Sequence, residues 1–228
     1  MIDSALARLQ ALADPVKAAE MAACHQAPRI YLGVSVPQID ALADGWRAEA
    51  TLDDRLALAA ALWRTDIHEA RVAACKLLTQ ARIRPDDAAW SLIQSWVPDF
   101  DGRALADLAC IAGQKRLVAD PSRLDVVDGW TRSPQMWTRR AALVITLPWA
   151  KQNNPKPADV AIRDRVLDWA AGFVDDRDGF IQKAVAGWLR DLSKHDPGRA
   201  AAFLATHGDR LKPFARKTAA RYLPDQLA

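Results

Sequence analysis

"HEARVAACKLL" (68–78), "WTRRAALVITL" (137–147), "FIQKAVAGWLR" (180–190) and "FARKTAARYL" (214–223) share one pattern, and that pattern decides the fold. Each carries a basic residue at its fourth position (Arg71, Arg140, Lys183 and Lys217), followed by small residues and closed by apolar ones. "FDGRALAD" (100–107) obeys the same rule, with Phe100 three positions ahead of Arg103. The five basic positions are then separated by 32, 37, 43 and 34 residues. These are the lengths of helical-hairpin repeats of the HEAT or armadillo kind, with irregular loops absorbing the differences. The stretches between them, "PDDAAWSLIQSWVP" (85–98), "SRLDVVDGWTRSP" (122–134) and "PADVAIRDRVLDWAAGFV" (157–174), are amphipathic and bounded by Pro, Gly, Ser or Asp. Each therefore reads as the first helix of a hairpin whose second helix is alanine-rich.

Composition agrees with an all-α fold. Half of the 228 residues are apolar and 26% charged, as in ordinary globular proteins, while Ala and Leu abound and there are only two Tyr and five Phe. The expected architecture is a single HEAT-like, armadillo-like α-helical repeat domain over residues 1–228. Stacked repeats turn equivalent helix faces to one side, so one cation per repeat forms a ladder along a concave basic groove. The competing reading is structural, because long Lys and Arg stems also cover a neighbouring helix while the charge reaches water.

Net charge is +3 but uneven: residues 181–228 sum to +5 and the preceding 180 to −2. A basic C-terminal third on a near-neutral body fits a polyanion bound at one face. Dense backbone charge makes DNA the favoured occupant over an acidic peptide. The N-terminus mixes acids and bases without a signal peptide's basic start and apolar run, and no apolar stretch reaches about 18 residues. A cytoplasmic protein, with no membrane partner and monomeric, is expected.

Several stretches invite chemical readings. On a helix Arg103 and Asp107 share a face, so they either pair at the surface or point together at a third group. His68 and Glu69 open like a zinc-protease signature, but position 72 is Val, so no metal site is expected and His68 reads as packed or capping. Asp175, Asp176 and Asp178 form an acidic loop better suited to capping the helix that follows than to holding a cation. Cys24, Cys75 and Cys110 are few, odd in number and set among Ala and Leu, so they read as buried thiols. The nine tryptophans read as core. Among the ten glycines there is no phosphate loop or nucleophile elbow, and no cofactor is expected.

Taken in order, "YLGVSVPQI" (31–39), "LWRTDIHEARVAACKLL" (62–78), "FDGRALAD", "MWTRRAAL" (136–143), "FIQKAVAGWLRDLSKH" (180–195) and "PFARKTAARYL" (213–223) resemble the AlkD-type alkylpurine DNA glycosylases, a family of HEAT-like repeat proteins. The resemblance implies double-stranded DNA in the groove and hydrolysis of the N-glycosidic bond of N3- or N7-alkylated purines, without a metal. It implies that Asp107 is the catalytic carboxylate and Arg140 a DNA contact; the basic ladder adds Arg71, Arg103, Lys183 and Lys217, with the adjacent Arg139, as further DNA-binding candidates. The sequence departs from the family at the aromatic residues expected to flank the lesion, where it has Arg103, Gly187 and Cys24. Trp188 lies one residue beyond Gly187, a rotation of about 100° on a helix, and so is expected in the core. Two other classes of function stay open: a non-catalytic binder of duplex or branched DNA, and a protein-interaction scaffold.

Overall fold

The structure, a computed structural model, describes residues 1–224. Those residues form helices joined by short loops, and the only β-type pairing among them is an isolated bridge between Ile30 and Ile67. The chain packs as two compact units, Met1–Asp120 and Pro121–Ala228. No described helix is long and apolar enough to cross a membrane.

The first unit comprises α1 (Ile2–Gln10), α2 (Pro15–His25), α3 (Val36–Glu49), α4 (Leu52–Arg64), α5 (His68–Leu77), α6 (Asp87–Ser95) and α7 (Arg103–Ala119). Helix α5 lies at its centre, packed on α3, α4 and α7, and α6 pairs with α7. Alanine allows this closeness: Ala70, Ala73 and Ala74 are fully buried, as are Cys75 and Leu77. Short side chains let helix axes approach until backbone and stem atoms supply the dispersion contacts.

The second unit comprises α8 (Leu124–Trp130), α9 (Met136–Ile145), α10 (Leu147–Ala150), α11 (Pro157–Gly172), α12 (Gly179–His195), α13 (Pro197–His207) and α14 (Pro213–Ala219). Here α12 is central, packed on α9, α10, α13 and α14, with α8 against α9. Its buried stripe of Ile181, Val185, Trp188, Leu189 and Leu192 follows helical periodicity. The expected first helices of hairpins are α6, α8 and α11, and the alanine-rich segments fall on α5, α9, α12 and α14. Helix α9 stops at Ile145 because Pro148 has no N–H to continue the ladder.

Starts and stops follow local chemistry. Proline opens α2, α3, α11, α13 and α14, and Asp14, Thr51, Asp178 and Asp196 accept backbone N–H bonds at the heads of α2, α4, α12 and α13. Gly33 is required where it stands: its φ of +80° is left-handed, and a Cβ there would lie 2.1 Å from the Asp14 carbonyl oxygen.

Three readings of the sequence change. Cys24 is exposed near the end of α2, whereas Cys75 and Cys110 are buried; burial pushes the Cys75 thiol pKa well above its usual value. Trp137 is only half-buried, while the other eight tryptophans are in the core. Finally, "FDGR" is not in register with the other segments. In α9, α12 and α14 the ring (Trp137, Phe180, Phe214) is the second helical residue and the cation the fifth. Pro98 sits in a single 3-10 turn (Val97–Asp99) and Gly102 is the extended residue before α7, so that helix begins only at Arg103. Phe100 is left in the core, its ring edge-on to Trp63 at 6.3 Å.

Candidate nucleic-acid interface

In the first unit the candidate residues stand at the opening of α7. Arg103 is its first residue and is exposed; Asp107, one turn on, is half-buried. Among the described residues Arg103 makes no ion pair, so it does not hold the Asp107 carboxylate. The opening of α7 is fixed from two sides. Trp63, stacked on Trp96 at 4.5 Å, donates its indole N–H to Asp99 at 2.9 Å. Arg29, its side chain 1% exposed, pairs with Asp101. The loop carrying Arg29 is pinned in turn by Glu69, a fully buried carboxylate accepting the N–H groups of Leu32 (2.9 Å) and Gly33 (2.7 Å).

Arg71 is placed differently from Arg103. Its Nε donates to the carbonyls of Trp63 (3.0 Å) and Thr65 (3.1 Å), and its guanidinium lies over the Trp63 ring. It thus closes the C-terminal end of α4. Beside it His68 stacks on His25 at 4.6 Å and on Tyr31 at 5.1 Å. Burial, with the His25 ring and the Arg29 guanidinium nearby, lowers the His68 pKa to about 4, so the ring is neutral near pH 7.

The candidates of the second unit sit at the openings of α9 and α12 and along α14. Arg139 donates to the carbonyls of Ser133 and Pro134 and pairs with Asp176 at 3.0 Å. Arg140 is 7% exposed, with its guanidinium over the Trp137 ring. Lys183 is exposed, its ammonium 5.4 Å from the centre of the Phe180 ring, and Lys217 is exposed on α14. Asp178 caps α12, accepting from Phe180 and Ile181, while Asp175 is held by Arg210. The acidic loop is accordingly spent on local bonds.

Sequence reasoning missed Gln182, which ties the opening of α12 to that of α14. Fully buried, it donates to the carbonyls of Val174 (3.1 Å) and Asp176 (2.8 Å) and accepts from the backbone N–H of Lys212 (3.0 Å), the residue just before α14. A signal was present: on α12 Gln182 shares a face with Val185 and Leu189, a polar residue in an apolar stripe. Glu69 shows the same signature, lying one turn from Val72 and Ala73 on α5. As expected, Trp188 is fully buried, while a Cβ built at Gly187 has no atom within 4 Å.

The fold is that of an all-helical repeat protein, with exposed cations at Arg103 on α7, Lys183 on α12 and Lys217 on α14. The chain belongs to the DNA alkylation repair enzyme family, whose model matches residues 5–223. It is similar in structure to a predicted DNA alkylation repair enzyme from Enterococcus faecalis, with a TM-score of 0.78 at 20% identity, covering 93% of this chain and 97% of that one. It is also similar to AlkD2 from Streptococcus mutans, with a TM-score of 0.61 at 17% identity, covering 83% of this chain and 90% of that one. No match was found among curated proteins.

Proposed function

We propose that this protein binds duplex DNA and acts in alkylation repair as a DNA glycosylase that releases N3- or N7-alkylated purines. The observation that carries the proposal is the exposure of Arg103, Lys183 and Lys217 along the opening portions of α7, α12 and α14, in a chain of the DNA alkylation repair family. Cations so placed take phosphates, and their contribution weakens as salt displaces the gain from counterion release. Alkylation makes the purine a cationic leaving group. The C1′–N9 bond breaks, its electron pair leaves with the base, and water adds to C1′ and loses a proton. Asp107 stabilises the oxocarbenium-like sugar or orients that water.

The test is release of N7-methylguanine or N3-methyladenine from alkylated duplex DNA, with duplex affinity measured across a salt series. Release is expected from the wild type. In Lys183→Ala the log–log salt slope is expected to shrink by about 0.9 for one lost phosphate contact. Absence of release under conditions where a known glycosylase works removes the catalytic half; salt-insensitive binding removes the phosphate half.

A second reading, a non-catalytic duplex binder on the same scaffold, is favoured by one observation. Where the family resemblance expects aromatics, Arg103 is an exposed cation and Gly187 leaves open space. If this reading holds, the wild type binds without release. Arg103→Trp combined with Gly187→Trp is then expected to bring release up from background by about 10-fold or more, and Arg103→Trp alone by less. Identical rates in both variants and the wild type would exclude a missing aromatic wall as the cause.

A further inference from the structure

We infer that the second unit also carries a site for unpaired DNA, in which exposed rings interleaved with cations stack the bases of a single strand; this rests on the DNA-binding reading above. Phe180 is 37% exposed, Phe214 42% and Tyr222 47%, a concentration of large rings at the surface of one small unit. Single exposed apolar residues are common. Two of these three, Phe180 and Phe214, are set in a repeated arrangement. Phe180 and Phe214 are each the second residue of their helices, with Lys183 and Lys217 three positions on, the spacing that puts ring and ammonium on one face. Lys183 lies over the Phe180 ring at 5.4 Å and Arg221 over the Tyr222 ring at 5.7 Å. Phe180 extends inward to the half-buried Trp137 at 4.7 Å, which the Arg140 guanidinium covers in turn. The Gln182 bond to Lys212 joins the openings of α12 and α14, the helices that carry Phe180 and Phe214.

The chemistry of the row selects its occupant. A DNA duplex hides its base faces inside the stack and offers proteins phosphates and groove edges, for which cations suffice and surface phenyl rings add little. An unpaired strand offers both charges and bare π-faces, and aromatic platforms between cations are the general solution for binding it without sequence preference. An acidic peptide would match the charges and leave the rings without a partner.

The experiment compares a fluorescein-labelled oligothymidine strand with a blunt duplex of equal length by fluorescence anisotropy at one salt concentration. The proteins are the wild type, Phe180→Leu/Phe214→Leu, and Phe180→Tyr/Phe214→Tyr. Leucine keeps the apolar volume but removes the π-face; tyrosine keeps it. Thermal melts establish that each variant is folded. The expected result is strand binding by the wild type, weakened about 10-fold or more in the leucine variant and retained in the tyrosine variant, with duplex affinity changed less than about 2-fold in either. Duplex binding without strand binding overturns this inference and leaves the DNA reading standing. Strand binding indifferent to the leucine changes, or an equal loss for strand and duplex, overturns it as well. Failure to bind either nucleic acid removes the DNA reading and this inference with it.

Discussion

Asp107→Asn is expected to lower the release of alkylated purines by about 100-fold or more while leaving duplex affinity equal or slightly higher. The residue stands on the second turn of α7, half-buried, with the exposed Arg103 one turn before it. On the proposed mechanism positive charge develops on the sugar, and a fixed carboxylate beside it is worth most in the transition state and little in the ground state. The amide keeps the shape and one acceptor oxygen and removes the charge, so the loss should fall on the single-turnover rate. A carboxylate near DNA phosphates is repulsive, hence the unchanged or improved binding. Measured under single-turnover conditions, an unaltered rate would take Asp107 out of the chemistry, and loss of both rate and affinity would assign it a structural role.

Glu69→Ala is expected to destabilise the protein by about 3 kcal/mol, read as a lower denaturant midpoint with an unchanged slope. The carboxylate is fully buried and accepts two backbone N–H groups, at Leu32 and Gly33. Alanine leaves both donors without their acceptor, the Gly33 N–H buried and the Leu32 N–H part-buried. Glu69→Gln keeps one acceptor and turns an N–H₂ toward the second donor, so it should recover only part of the loss. Because this loop carries Arg29, whose partner Asp101 precedes α7, the alanine variant should also loosen the opening of α7. Hydrogen exchange of the first turn of α7, faster in Glu69→Ala than in the wild type, is the specific readout.

The helical class and the repeat spacing were legible in the sequence because they rest on local periodicity and composition. Alanine-rich segments with a cation at a fixed position form helices wherever they are placed, and Pro, Asp and Gly punctuate them through their own backbone preferences. The resemblance that drew attention to Asp107 and Arg140 was legible for the same reason, since it lies in ordered short motifs.

What each cation does could not be read in that way. Arg71 and Lys183 occupy the same place in the aligned segments, yet the Arg71 Nε donates to the Trp63 and Thr65 carbonyls while Lys183 is exposed over Phe180. The difference comes from the carbonyls at the end of α4, which only packing brings within reach. Phe100 and Phe180 likewise match in spacing, but Pro98 and Gly102 delay α7 until Arg103, turning one ring into the core and leaving the other at the surface. The exposure of Cys24 and the burial of Glu69 and Gln182 were settled at the same level. The sequence alone determined the helical class and the shared pattern of α9, α12 and α14, but not the register of α7, which begins at Arg103. The tertiary structure decided which side chains face water, because burial and hydrogen-bond partners are set by packing against neighbouring elements, from Thr65 beside Arg71 to Lys212 beside Gln182.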